Sequence, residues 1–263
     1  MLNDITLGQY YPGDSVIHRT DPRIKILLTI LFMAELFTVK TYLGFLMFTL
    51  FTLAIIVVSG VPVMFTLKGL RPVLIIVIFA VIVNVFSTPG QVLYNIGPLE
   101  ITLEGLLLSG KMAIRLALLI VGASILTLTT TPILLTDGLE KLLSPFKKIG
   151  LPAHEIAMMM TIALRFIPTL LDETDKIMKA QSARGADFDT GNLLEKAKSF
   201  IPVLVPLFVS AFRRADELAM AMEARCYRGS EGRTRMKQLK LGLIDVKVSA
   251  VMILFGVLIL IVQ

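Results

Sequence analysis

The sequence predicts an all-α membrane protein: about five transmembrane helices and one cytoplasmic domain of three helices, two of them long. Three observations carry this reading. Hydrophobic residues make up 55% of the 263 positions and charged residues 17%, whereas soluble domains carry about 25% charged residues. Mean hydropathy is +0.79. The charge is gathered into one long stretch, residues 132–247, between apolar runs of membrane-crossing size. A single cysteine, Cys226, excludes a disulfide framework and a four-cysteine zinc site.

Residues 1–25 are polar and turn-rich, with Tyr11-Pro12-Gly13-Asp14 and Asp21-Pro22. They lack the apolar core of a cleavable signal peptide, so the first hydrophobic segment is expected to be retained. Hydrophobic sequence then runs from Ile26 to Ser59, broken only by Glu35 and Lys40. One helix of that length would rise about 50 Å against a hydrocarbon core of about 30 Å. Two short spans with a turn near Lys40–Gly44 are expected instead. Residues 60–72 form a basic loop, and Val73–Phe86 a third, short span. Residues 87–110 read as a loop, with Pro89-Gly90, Gly97-Pro98, Glu100 and Glu104 and no basic residue before Lys111. Lys111–Thr131 is the fourth span and Val248–Val262 the fifth. Three domains result: 1–131, 132–247 and 248–263.

The basic residues orient this plan. Three of the 26 lie in residues 1–25, two in the 60–72 loop and eighteen in 132–247. Four spans before the charged domain and one after put all of these on one side. The positive-inside rule then makes the N-terminus and the 132–247 domain cytoplasmic and leaves the C-terminus outside. The net charge of +6 is thereby explained by membrane orientation, and no nucleic-acid partner is expected.

Within the charged domain, Thr131-Pro132 is an N-cap and first-turn pair. Leu135, Leu139, Leu142, Leu143 and Phe146 follow at helical spacing, and Lys147-Lys148-Ile149-Gly150 closes the helix. The second helix starts after Pro152, apolar over Ile156–Leu171 and charged over Asp172–Arg184, with Pro168 expected to kink it. The third repeats this plan, apolar over Phe200–Phe212 and charged over Arg213–Arg225. Neither apolar half reaches the roughly 20 residues of a span, so both helices are expected at the membrane edge. Two additional spans of opposite direction are the rival reading.

Little in the chain points to catalysis. Gly105 to Gly110-Lys111 has the spacing of a phosphate loop, but Met112 stands where a Ser or Thr must hold Mg²⁺. His18 and His154, the only histidines, are far apart and no HExxH is present. No catalytic residue, no metal ligand and no cofactor is expected. Glu35 could be an intramembrane proton or ion site or could simply reach water. Arg115 is expected one turn into its span, snorkelling outward. Met158, Met159 and Met160, with Met178, Met220 and Met222, suit either an adaptable partner surface or plain helix packing. Ala211, Ala215 and Ala219 form a small-residue line that permits close helix approach.

The most specific signal is a near-repeat at the ends of the two long helices: Ala183-Arg184-Gly185 and Ala224-Arg225-Cys226. Each arginine is preceded nine residues earlier by Asp175 or Asp216, seven earlier by Ile177 or Leu218, and four earlier by Ala180 or Ala221. Arg presents a rigid fork suited to a bidentate carboxylate, and small flanking residues let the backbone enter a groove. One such triplet could be an ordinary last turn; two in matched contexts point to a partner.

These triplets, with Arg165-Phe166-Ile167-Pro168, resemble the transmembrane T component of energy-coupling factor (ECF) transporters, the EcfT/CbiQ family, over nearly the whole chain. The resemblance implies that the two long helices cross as coupling helices at the cytoplasmic edge of the membrane. It implies that Arg184 and Arg225 dock in grooves of two cytoplasmic ATP-binding subunits. Ala183, Gly185, Ala224 and Cys226 would permit the close approach. ATP and Mg²⁺ would be bound by those partners and not by this chain. An integral membrane substrate-capture (S) subunit would sit on the apolar halves, at Met158, Met159, Met160, Ala211 and Ala215. The cargo implied is a vitamin or another micronutrient such as a transition-metal ion. Cys226 stands where the family often has Gly. A conventional ABC permease with its own path is the alternative, but only Glu35 and Asn84 offer polar groups to line one.

Overall fold

A computed structural model describes residues 10–96, 99–188, 192–229 and 239–262. Gly97, Pro98 and the first nine residues of the polar N-terminal segment lie outside the described residues. The described chain forms two units, one holding residues up to Leu139 and from Leu239 onward, the other running from Glu140 to Gly229.

In the first unit, α1 (Val16–Arg19) is one turn capped by Ser15. Helix α2 (Pro22–Thr38) starts at Asp21, whose carboxylate accepts from the Arg23 N–H, with Pro22 at the first helical position. Helix α3 (Tyr42–Ser59) is capped by Thr41 and stopped by Gly60 at φ 70°. The long hydrophobic run is thus split at residues 39–41, as its length demanded. The expected 60–72 loop contains a short helix, α4 (Val63–Lys68), and α5 (Arg71–Ser87) follows.

The next segment departs from the sequence reading. The expected loop holds an antiparallel hairpin, β1 (Val92–Ile96) and β2 (Leu99–Thr102). Helix α6 (Leu103–Thr129) then begins eight residues before Lys111, because Thr102 caps it by accepting from the Gly105 N–H and Glu104 sits in its first turn. At 27 residues it rises about 40 Å and outruns the hydrocarbon core. Helix α7 (Pro132–Leu143) begins after Thr131, whose hydroxyl accepts from the Leu134 N–H. Helix α11 (Leu243–Val262) starts five residues before Val248 and carries Asp245 in its first turn.

Helices α2, α3, α6 and α11 enclose the core of this unit, built on Phe32, Leu36, Phe45, Phe48, Leu118, Met252, Phe255 and Ile259. Phe51 stacks on Phe255 at 3.9 Å between centroids, and Phe48 meets Phe255 edge-on at 5.0 Å. Gly122 is needed for close approach: a Cβ there would lie 2.6 Å from the Phe32 ring. Small residues do this work in membranes because lipid offers no hydrophobic drive for helix association.

One end of the unit is tied by buried polar groups. Lys25 Nζ donates to the carbonyls of Thr129 (2.9 Å) and His18 (3.2 Å) and to the Thr130 hydroxyl (3.0 Å). Asp245 accepts from the backbone N–H groups of Asp21 and Gly242, each at 2.7 Å. Arg23 pairs with Asp21 at 2.9 Å and donates to the Leu239 carbonyl. These bonds satisfy groups that apolar surroundings would otherwise penalise.

In the second unit, a 3₁₀ turn (Ser144–Ile149) ends at Gly150 with φ 92°. Helix α8 (Ala153–Ala183) runs unbroken through Pro168. Helix α9 (Leu193–Ser199), absent from the sequence reading, is opened by a capping box of Asn192 and Glu195. Helix α10 (Ile201–Ala224) completes the unit.

Among the described residues, four helices are long and apolar enough to cross a membrane: α3, α6, α8 and α11. Helix α5, at 17 residues, is the shorter apolar one. Helix α2 has the same length but carries Arg23, Lys25 and Glu35. By length and composition α8 counts among these candidate spans, whereas α10 does not.

Candidate functional site

Helices α8 and α10 run antiparallel, joined at three levels. At one end, His154 Nδ1 lies 3.0 Å from Glu140 Oε1 and His154 Nε2 lies 3.2 Å from the Tyr227 hydroxyl. In the middle, Glu173 accepts from the Ser210 hydroxyl (2.5 Å) and from Arg214 (3.0 Å). At the other end, the Gln181 amide donates to the Pro202 carbonyl at 3.4 Å. Paired residue numbers fall on one side as they rise on the other, as an antiparallel pair requires.

Each of the two helices ends in a triplet, and the two ends have the same geometry. At the end of α8, the Gly185 N–H donates to the Ser182 carbonyl and the Ala186 N–H to the Gln181 carbonyl, each at 3.0 Å. At the end of α10, the Cys226 N–H donates to the Glu223 carbonyl (2.8 Å) and the Tyr227 N–H to the Met222 carbonyl (3.0 Å). These are the two bonds of a Schellman motif. Arg184 sits at φ −91°, ψ 6° and Arg225 at φ −90°, ψ 11°. Gly185 takes φ 91° and Cys226 takes φ 54°. Cys226 therefore adopts the left-handed turn that Gly185 makes without strain, and the cap survives the substitution at some cost.

Both arginines are exposed, and neither forms an ion pair within the described residues. Because the helices are antiparallel, the two tips lie at opposite ends of the pair. At 1.5 Å per residue, the separation is roughly 40 Å.

The other predicted contact residues divide. Met159 (59% exposed) and Met160 (38% exposed) are open, whereas Met158 is half-buried. Ala211 is half-buried and Ala215 exposed. The Ala211–Ala215–Ala219 line, expected to bring the helices together, is not what joins them: the bonds run through Ser210 and Arg214, and Ala215 and Ala219 are exposed. Beside Ala215, α10 presents a broad apolar surface that includes Phe208 (60% exposed) and Phe212 (70% exposed).

Three other expectations meet their geometry. The segment from Gly105 to Lys111 lies inside α6, whose N–H groups beyond the first turn are bonded within the helix, so no phosphate cradle exists there. Arg115 does not snorkel. It lies three turns into α6 and donates to the Val39 carbonyl at the end of α2 (2.5 Å), above the Phe45 ring. Glu35 is half-buried and packs against Gly256 of α11.

Sequence reasoning missed the two clusters that hold the pair together, His154–Glu140–Tyr227 and Glu173–Ser210–Arg214. In the sequence His154 stands out only as one of two widely separated histidines. Residues 14 and 73 positions from it in the chain leave no local pattern to find.

Residues 13–236 match the family described as cobalt transport protein, CbiQ. The energy-coupling factor transporter transmembrane protein EcfT of Ruminiclostridium cellulolyticum is 64% identical over 255 residues, covering 97% of this chain and 96% of its own. The chain belongs to the EcfT/CbiQ family. The protein of the same name from Clostridium kluyveri is 59% identical over 243 residues (92% of this chain, 90% of its own), and that of Bacillus subtilis 47% over 240 (91% of each). Members of the EcfT/CbiQ family are membrane subunits of transporters, and this chain is a multi-pass, all-α transmembrane component of the energy-coupling factor type.

Proposed function

We propose that this chain transmits ATP-driven motion from two cytoplasmic ATPase subunits to an integral membrane S subunit that captures a vitamin or another micronutrient. The observation that carries the proposal is the pair of exposed arginines, Arg184 and Arg225, on matching Schellman ends at opposite extremes of one antiparallel helix pair. Each guanidinium is positioned to enter a groove, with Ala183 and Gly185, or Ala224 and Cys226, keeping the backbone narrow. Nucleotide binding draws the two ATPases together, the tips follow their grooves, and α8 and α10 shear at Glu173. The apolar surface around Met159, Met160, Ala211, Ala215 and Phe212 carries the S subunit and tilts with them. In this arrangement residues 132–247 and the N-terminus face the cytoplasm and the C-terminus faces outward. ATP and Mg²⁺ belong to the partners, and no nucleic acid is involved.

The test is charge reversal at each tip, Arg184→Glu and Arg225→Glu. Each reversal should cost about 3–5 kcal/mol of ATPase affinity, the penalty for breaking a buried pair. Co-purification of the ATPases and uptake should fall together. Unchanged co-purification and uptake in both variants would overturn the proposal.

A further inference from the structure

A crevice of about 410 Å³ opens among α1, α2, α3, α6 and α11 of the first unit, within the size range of small-molecule sites, about 300–1,000 Å³. Phe32, Phe51, Ile55, Leu126 and Met252 are among the residues of its wall. It is not sealed: Val16, Val58 and Val251 line it and are 49%, 54% and 59% exposed.

Its polar groups are already engaged. The hydroxyls of Thr20, Thr29, Thr52 and Thr129 each donate back to a carbonyl of their own helix, at 2.9, 2.8, 2.7 and 2.7 Å. Lys25 is bound to two carbonyls and a hydroxyl. The interior therefore offers an occupant almost no hydrogen bonds, which disfavours water and any polar solute. At the rim stands Lys247, exposed and without an ion pair among the described residues.

An apolar slot among membrane helices with one uncommitted cation at its mouth matches a single class of molecule. We infer that the crevice binds an anionic phospholipid, one acyl chain lying against Phe32 and Ile55 and the phosphate meeting Lys247. Basic pockets between transmembrane helices recognise anionic headgroups in this way. The site is separate from the arginine tips and does not depend on the proposed ATPase contacts.

Native mass spectrometry of the full chain in detergent, with phosphatidylglycerol or phosphatidylcholine added, tests this. The chain should retain phosphatidylglycerol in preference to phosphatidylcholine. Ala54→Trp, at an exposed position lining the crevice, should abolish retention of both lipids while leaving the thermal melt unchanged. Lys247→Gln should remove the preference, about fivefold for one lysine at an anionic surface, and keep the acyl contribution. Should Ala54→Trp melt early, Ile125→Phe from the opposite wall serves the same purpose. Equal retention of the two lipids by the unmodified chain, or undiminished retention in a well-folded filled variant, would overturn the inference. So would occupation of the crevice by a protein segment, read as cross-linking from Ala54→Cys to a co-purifying membrane subunit.

Discussion

Arg184 and Arg225 stand at the same point of the same helix cap. Their backbone angles differ by no more than 5°, and each is followed by a left-handed residue whose N–H, with that of the next residue, closes the helix. The near-repeat in the sequence is therefore also a repeat in three dimensions.

That equivalence predicts opposite outcomes for two substitutions. Gly185→Ala forces a Cβ into φ 91° and should lower stability by about 1 kcal/mol, whereas Cys226→Gly relieves the strain at φ 54° and should raise it by up to about 1 kcal/mol. Thermal melts of the purified chain measure both. Cys226→Gly should also leave ATPase co-purification intact, since the cap is retained.

Glu173 links α8 to α10, accepting from Ser210 and Arg214 at once. Glu173→Ala should cost about 1–2 kcal/mol, given the partial exposure of the pair. Hydrogen exchange should quicken in α8 and α10 around residues 170–174 and 210–214. Ser210→Ala alone should produce a smaller change in the same segments.

Lys25 ties α1 and α2 to the end of α6 through three acceptors. Lys25→Met preserves most of the apolar stem but removes the donor to the buried Thr129 carbonyl and the half-buried His18 carbonyl. A loss of about 2–3 kcal/mol follows, readable as an earlier thermal transition in detergent.

Arg115 closes the end of α2 by donating to the Val39 carbonyl, a site where a cation also meets the negative end of the helix dipole. Arg115→Leu should loosen the 39–41 turn at a cost of about 1.5–3 kcal/mol. Faster hydrogen exchange at Gly44 and Phe45, with α10 unaffected, would be the signature.

Much of the fold was legible because membrane helices write themselves in long apolar runs. The split of residues 26–59 followed from bilayer thickness, and Thr131-Pro132 marked a real helix start; Gly150 ends a 3₁₀ turn, while α7 itself stops earlier, at Leu143. The start of α6 was hidden because Glu104, Ser109 and Lys111 interrupt its first turns, so apolarity alone placed its beginning too late. The hairpin at residues 92–102 was read as a loop because Pro and Gly flank it and neither strand exceeds five residues. At the tips, the arginine triplets were visible as a local pattern. The contacts that align the helices were not, because His154, Tyr227, Glu173 and Arg214 meet only once distant segments have folded together.

An antiparallel pair with matching ends has an approximate dyad, passing near Glu173 and at right angles to both rods. A motor built from two copies of one subunit could address both tips by the same operation. Inequality between the tips must then arise off that axis, where the ends differ: a His154–Tyr227 clasp beside Arg225 and a Phe188–Phe200 ring contact beside Arg184.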